Sequence, residues 1–184
     1  GDEFSQDLRY SFGTPDDNVS GVVGFFYGDF SLPRNSLVQS TGITVQELTS
    51  DDSTTSTSVY ADIRWRFADR FSLIAGGRYT REKVQEQAQG QSFFVPIDVN
   101  ETSDFSVFLP RLGLVYDLSE FETVSYLASR GYRSGFIEIA NGEVNSVDPE
   151  FLDSLEVSYK AVSPDNTWSF AATAFHSTYR DKQI

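Results

Sequence analysis

Between Ser58 and Lys83 the chain reads SVYADIRWRFADRFSLIAGGRYTREK. Val59, Ala61, Ile63, Trp65 and Phe67 are apolar at every second position, with Tyr60, Asp62, Arg64 and Arg66 between them. Side chains alternate across a strand with a period of two, so such a run folds as a strand with one oily and one ionic face. The rhythm recurs along almost the whole chain. Phe4, Leu8, Tyr10 and Phe12 share one face of a first strand, and Val19 to Phe30 form a second that is apolar on both faces. Phe71, Leu73, Ala75 and Tyr79 mark a fourth; Phe108, Pro110, Leu112, Leu114, Tyr116 and Leu118 mark a fifth. Val124, Tyr126 and Ala128 belong to a sixth strand, and Leu155, Val157, Tyr159 and Ala161 to a seventh. A last strand is expected from about Thr167 to Tyr179. The pattern predicts an all-β, antiparallel fold of about eight strands and no helix of useful length.

The connections narrow the architecture. GTPDDN (13–18), ADR (68–70), LSE (118–120) and SPDN (163–166) are short and built of turn formers. The other joins, roughly 31–57, 82–104 and 132–149, are long, and short and long alternate strictly. Soluble sandwiches scatter long loops over both ends, whereas outer-membrane barrels keep short turns on the periplasmic side and long loops outside. A transmembrane β-barrel is therefore expected, with its apolar face toward lipid and its charged face toward a lumen. In hydrocarbon every backbone donor and acceptor must pair within the sheet, which requires the strands to close. Asp62, Arg64, Arg66, Arg78, Arg111, Glu156 and Lys160 are expected to face the lumen, since a charge on the lipid face costs ~2–4 kcal/mol near the midplane. Trp65, Phe67, Phe71, Tyr79 and Tyr116 lie near predicted strand ends and suit interfacial girdles. The competing reading of the same aromatics is the core of a soluble β-sandwich acting as a binding module.

Composition removes several function classes. The chain of 184 residues carries a formal net charge of -13, opposed to binding a nucleic-acid backbone. It has no Cys and one His, His176, so neither a thiolate site nor a credible zinc site is available. Asp51-Asp52 and Asp16-Asp17-Asn18 lack the spacing of a calcium loop. No nucleophile elbow, phosphate loop or dinucleotide fingerprint occurs, so neither an enzyme nor a cofactor is expected. No apolar run of ~18 residues and no signal-peptide pattern is present; neither bears on a β-barrel, whose strands hide from hydropathy averages.

Several segments, taken in order, resemble the barrel of TonB-dependent outer-membrane receptors. The opening stretch is similar to a hairpin of that family returning through Gly-Arg-Tyr-Thr. Phe108 to Asp117 (FLPRLGLVYD) resembles its Pro-Arg-x-Gly-x-x-Tyr-Asp strand, and Arg130 to Phe136 (RGYRSGF) its Arg-Gly-Tyr-Arg-Ser-Gly-Phe segment. Asp148-Pro149-Glu150, leading to Glu156-x-Ser158-x-Lys160, is similar to a further stretch, as are Phe4 to Arg9 and Tyr179 to Ile184. Two departures stand out: Ser158 occupies a usual Gly, and the segment after Ser134-Gly135 lacks the usual second Gly and reads Phe-Ile-Glu-Ile-Ala.

The resemblance implies a Gram-negative outer-membrane location and a barrel of about 22 strands closed by a plug. This chain would supply about eight of those strands and no plug. The whole receptor would bind a scarce nutrient, such as a ferric siderophore, haem, cobalamin or an oligosaccharide. Import would draw on energy relayed through TonB, and the partners would be lipid, the remaining strands, the plug and the ligand. Arg130, Tyr132 and Arg133 are the ligand-facing candidates, because the arginine fork pairs with carboxylates of anionic chelates; lumen lining or plug contact is their other reading. A self-contained eight-stranded barrel with a structural or adhesive role is the alternative. Contact between the first and last strands would favour it. Both ends fall on the long-loop side and the last residues lack a terminal aromatic, which reads instead as cuts through two loops.

Overall fold

The computed structural model describes residues 1–14, 16–92, 95–140 and 143–183. Its strands are β1 (Asp2–Phe12), β2 (Val19–Ser40), β3 (Ile43–Ala68), β4 (Phe71–Ser92), β5 (Val95–Asp117), β6 (Glu122–Arg133), β7 (Phe136–Ala140), β8 (Glu143–Val147), β9 (Glu150–Val162) and β10 (Ser169–Arg180). Eight of them form one antiparallel sheet in the order β1-β2-β3-β4-β5-β6-β9-β10, and β7 and β8 pair separately. The order is a simple meander, each neighbour following through a hairpin except where β7–β8 intervenes. β1 and β10 stand at opposite ends and do not pair with each other. The closed eight-stranded barrel therefore does not form, and two ladder edges are open.

Residues directly opposite in neighbouring strands share a face, so the register assigns the sides. Ile63 stands opposite Gly21 and Ala75. Ala75 faces Leu112, Leu112 faces Ala128, and Ala128 faces Leu155. This side is apolar across the central sheet, and no second layer covers it: Val59 is 54% exposed, Trp65 51% and Leu112 56%. The soluble-sandwich reading fails on that observation, because its core aromatics would be buried.

Aromatic rings collect where the apolar face ends. Near the short turns Trp65, Phe67, Phe71 and Tyr116 follow one another at centroid distances of 5.7, 6.0 and 4.5 Å. Toward the other end Phe4 and Tyr27 lie 6.4 Å apart. On β4 the apolar positions run from Phe71 to Tyr79, after which Arg81 pairs with Asp104 at 3.4 Å. A tilted strand needs ~9–11 residues to cross hydrocarbon, which is the span between those limits.

The three long joins are not loops. β2 and β3 have 22 and 26 residues and continue to a two-residue turn with Thr41 at φ 51 and Gly42 at φ 81. Positive φ at both places is the geometry that matches strand twist, and Gly42 takes it without strain. β4 and β5 likewise run 22 and 23 residues, and the third join holds the β7–β8 hairpin. Beyond the apolar band the alternation of oily and polar side chains disappears. The ladder persists because its hydrogen bonds and β-branched residues such as Thr54, Thr55 and Thr57 do not depend on that contrast. The short joins match expectation. In one, Asp17 accepts hydrogen bonds from the Thr14 amide at 2.7 Å and hydroxyl at 3.0 Å. In another, hydrogen bonds from Ser163 and Thr167 hold the Asp165 carboxyl below the usual carboxylate range.

Candidate functional site

By register, Asp62, Arg64, Arg66, Arg78, Arg111, Glu156 and Lys160 all lie on the face opposite the apolar one. Asp62, Gly76 and Arg111 form one row across β3, β4 and β5. Arg111 Nη1 donates to Asp62 Oδ2 at 2.7 Å above Gly76, and a Cβ there would sit 2.7 Å from that same oxygen. The glycine inside the strand is thus a gap through which an ion pair crosses. Arg78 donates to Ser58 Oγ at 2.9 Å and Thr80 Oγ1 at 3.2 Å, its guanidinium 5.3 Å from the Phe26 ring centre and 5.8 Å from that of Tyr60. Arg64 Nη2 donates to Ser72 Oγ at 3.3 Å, and Glu156 accepts from Ser158 Oγ at 3.0 Å. Lys160 stands opposite Thr123 and Ala171. Of these contacts one joins two charges, Arg111 with Asp62, and those of Arg64, Arg78 and Glu156 join a charge to hydroxyls.

At the far end from the short turns the sheet splits. The β5–β6 ladder stops at Arg111 opposite Ser129, while β6 and β9 stay paired to Arg133 opposite Glu150. Pro110, with no N–H to donate, adjoins the last β5–β6 pair. Arg130 lies beside this opening. It donates two bonds to Asp153, at 2.6 and 3.0 Å, and lies 5.5 Å from the Phe151 ring centre. Asp153 also pairs with Arg180 at 2.8 Å.

Tyr132 donates its hydroxyl to Glu82 Oε1 at 2.8 Å, and Ser134 donates to Glu82 Oε2. Burial, reinforced by the Glu82 carboxylate, pushes the Tyr132 phenol well above its ordinary pKa. Arg133 is exposed. Of the three ligand-facing candidates, then, two are engaged with carboxylates of the chain itself, and the structure does not gather the three around one point.

The β7–β8 hairpin folds back against β4 and β5. Ile137, buried, packs with Val84 and Phe105, with Val144 alongside, and this is the apolar core cluster among the described residues. Ser103 and Ser146 hydroxyls bond at 2.9 Å. Gln183 Nε2 donates to the carbonyls of Ser134 at 3.0 Å and Asp148 at 2.9 Å, closing the base of the excursion.

Between this hairpin and β2–β4 lies a recess of about 770 Å³. Phe30, Leu32 and Val84 give it apolar walls, and Arg34, Asp52 and Glu86 polar ones. Arg34 Nη2 lies 3.0 Å from Asp52 Oδ2. Glu86 stands directly opposite Asp52 in the ladder, and burial together with that neighbour raises its carboxyl to about 7. Sequence reasoning missed Arg34, Glu82, Glu86 and Ile137 and set Asp52 aside, because all five fall in segments read as loops. The signal present was the even-numbered series Glu82, Val84, Glu86 and Ala88, which continues the polar-face parity of β4. Among the described residues no group of His, Cys, Asp and Glu is arranged to hold a metal.

The model of the TonB-dependent receptor-like β-barrel family matches residues 1–184. Three solved structures are similar. The ferric yersiniabactin uptake receptor FyuA of Yersinia pestis superposes with a TM-score of 0.91 at 19% identity, over 99% of this chain and 29% of that one. The ferric-catecholate import receptor Fiu of E. coli K12, in an open form, gives 0.72 at 13% identity, over 97% and 30%. The alcaligin outer-membrane receptor FauA of Bordetella pertussis gives 0.54 at 16% identity, over 96% and 33%. At these identities the likeness is one of fold, and the chain spans at most 33% of the length of these receptors.

Proposed function

Because the chain belongs to the TonB-dependent receptor-like β-barrel family, we propose that it is a section of the wall of an outer-membrane importer in a Gram-negative bacterium. Further strands of the same receptor continue its β1 and β10 edges, and a plug fills the lumen and relays energy from TonB. The whole binds a scarce nutrient on the outside, a ferric siderophore being the first candidate, and carries it inward without making or breaking bonds. The observation that carries this reading is the family match along residues 1–184. The uncovered apolar face is consistent with it, since only lipid or detergent would make such a surface stable.

In this reading the short turns at 13–18, 68–70, 118–121 and 163–168 are periplasmic, and the tall hairpins stand outside the cell. The seven lumen-side charges line the channel next to the plug. Tyr132 serves ligand capture indirectly, by tying β6 to Glu82 beside the recess, while Arg133 remains available to ligand at the mouth.

The test is energised uptake. In cells whose other iron receptors are deleted, the intact receptor should accumulate at least one radiolabelled ferric chelate, and deletion of TonB should abolish accumulation. Accumulation that survives loss of TonB, or none for any chelate, haem or cobalamin, would overturn the proposal.

A further inference from the structure

Register puts Arg130 on the apolar side of the sheet. Ala128 stands opposite Leu155 there, and two residues further along the same strands Arg130 stands opposite Asp153. Side chains two apart on a strand share a face, so this ion pair sits on the oily side and not with the lumen-side charges. Arg180 joins it from β10, its Nε 2.8 Å from Asp153 Oδ2. The stretch from Glu122 to Arg130 on β6, like that from Val162 back to Asp153 on β9, is close to the ~9–11 residues that cross hydrocarbon. The three charges therefore stand at the upper margin of the apolar band, where a charge on the lipid side is tolerated. Two guanidiniums carry about ten N–H donors and one carboxylate about four acceptor sites. Asp153 thus leaves its two arginines with unused donors, and the trio with a positive charge. Arg180 is 62% exposed. At the same height the β5–β6 ladder has ended, at Arg111 opposite Ser129. Beside that end lies a niche of about 390 Å³, floored by Pro110, Leu112, Ala128 and Leu155 and bounded by Arg130 and Asp153. Leu112 and Leu155 are exposed, so the niche opens onto the apolar face.

We propose that this step in the wall binds one anionic lipid, its phosphate headgroup on Arg130 and Arg180 and an acyl chain in the niche below them. The inference rests on the outer-membrane reading and assigns the wall a lipid site of its own. A guanidinium fork pairs with phosphate oxygens through two N–H donors. The chain lies along Leu112, Ala128 and Leu155, continuous with the apolar face that meets the other acyl chains. A free anion would use the arginines and leave the niche unfilled. A lipid without net charge would fill the niche and leave the positive charge unmatched. A molecule that joins both parts matches both.

The test offers the intact receptor, in uncharged detergent, equimolar phosphatidic acid and phosphatidylcholine with identical acyl chains. Native mass spectrometry counts the lipid retained. Phosphatidic acid should be retained at least about fivefold over phosphatidylcholine, and the preference should shrink as salt is raised. Arg130→Gln with Arg180→Gln should remove most of it. Asp153→Asn, which frees both guanidiniums, should enlarge it and keeps the test open should the double variant not fold. Ala128→Phe fills the niche, leaves both arginines in place and should weaken retention. Inorganic phosphate at the concentration of the lipid should displace little. Equal retention of the two lipids, retention of neither, a preference unchanged in both charge variants, indifference to Ala128→Phe, or release by inorganic phosphate would overturn the proposal. Uptake reports separately on the underlying reading. Import by a receptor without lipid preference overturns the lipid site alone, whereas lipid preference in a protein that imports nothing overturns the importer and leaves the site.

Discussion

The two halves of the sheet are built on the same ladder and obey different rules. Below the level of Tyr79, odd positions of β3 and β4 are oily apart from Gly77, even positions carry the charges with Ile74 and Gly76 apart from the polar set, and rings gather near the short turns. Above it the same strands continue as Ser53, Thr54, Thr55 and Ser56 opposite Gln85, Val84, Lys83 and Glu82, with no oily side. In the receptor reading, what differs is the solvent. A face toward hydrocarbon and a face toward water impose a period of two on composition; water on both faces imposes none, and backbone pairing alone keeps the strand. Strand geometry is therefore a property of the hydrogen-bond ladder, while alternation is a property of the medium.

The largest break in that contrast should come from placing a charge on the apolar face. Ile63→Lys is expected to destabilise the receptor by about 2–4 kcal/mol, whereas Thr55→Lys, on the same face above the band, should cost less than about 0.5 kcal/mol. Denaturant titration in lipid vesicles measures both. Equal costs at the two sites would remove the distinction.

Next in size is the apolar pin of the upper region. Ile137→Ala empties the contact with Val84 and Phe105 and should weaken closure of the β7–β8 hairpin by about 2 kcal/mol. Hydrogen exchange should find amides 143–147 less protected while those of residues 59–67 are unchanged. Smaller again is Gly76→Val. The added carbon meets Asp62 Oδ2 at 2.7 Å, so the Arg111–Asp62 pair must part, at about 1–2 kcal/mol. Both side chains are more than a third exposed, so Arg111→Met alone should cost under about 1 kcal/mol. A glycine substitution no costlier than loss of the arginine would show that crowding is not what Gly76 relieves.

These contrasts also explain what was legible in the sequence. The eight-strand sheet, its short turns and the polar parity of Asp62, Arg64, Arg66, Arg78 and Arg111 were readable because an apolar face and a polar face write themselves into alternate residues. The tall hairpins were not, since Glu47, Thr49, Asp51 and Ser53, on the face that is oily lower down, carry no oily mark and resemble loop composition. The recess was hidden for a second reason. Arg34, Asp52 and Glu86 meet only through a pairing register that the 31–57 and 82–104 segments set at their turns, and nothing local to each residue announces it. Arg130 and Tyr132 were singled out by their motif, but their partners Asp153 and Glu82 lie 23 and 50 residues away.

The smallest effect concerns pH in the upper region. The folded chain holds the Glu86 proton up to about 7, above the ordinary value of 4.5. The folded state binds that proton more tightly, so the contribution is complete below about pH 4.5 and is lost as pH rises through about 7. Amide protection near residues 84–88 and 50–54 should fall across that window, and Glu86→Gln should flatten the change. Protection that rises over the same range would reverse the sign and refute burial as the cause.

The most direct measurement is a spin-label scan of residues 49 to 67 in the receptor reconstituted in bilayers, read by collision with dissolved oxygen and with a water-soluble nickel chelate. From 59 to 67 oxygen contact should peak at odd positions and nickel contact at even ones. From 49 to 57 nickel should reach both. Odd positions shielded from oxygen and nickel alike, or one unbroken pattern over the whole scan, would contradict an apolar face turned to lipid with a wet hairpin above it.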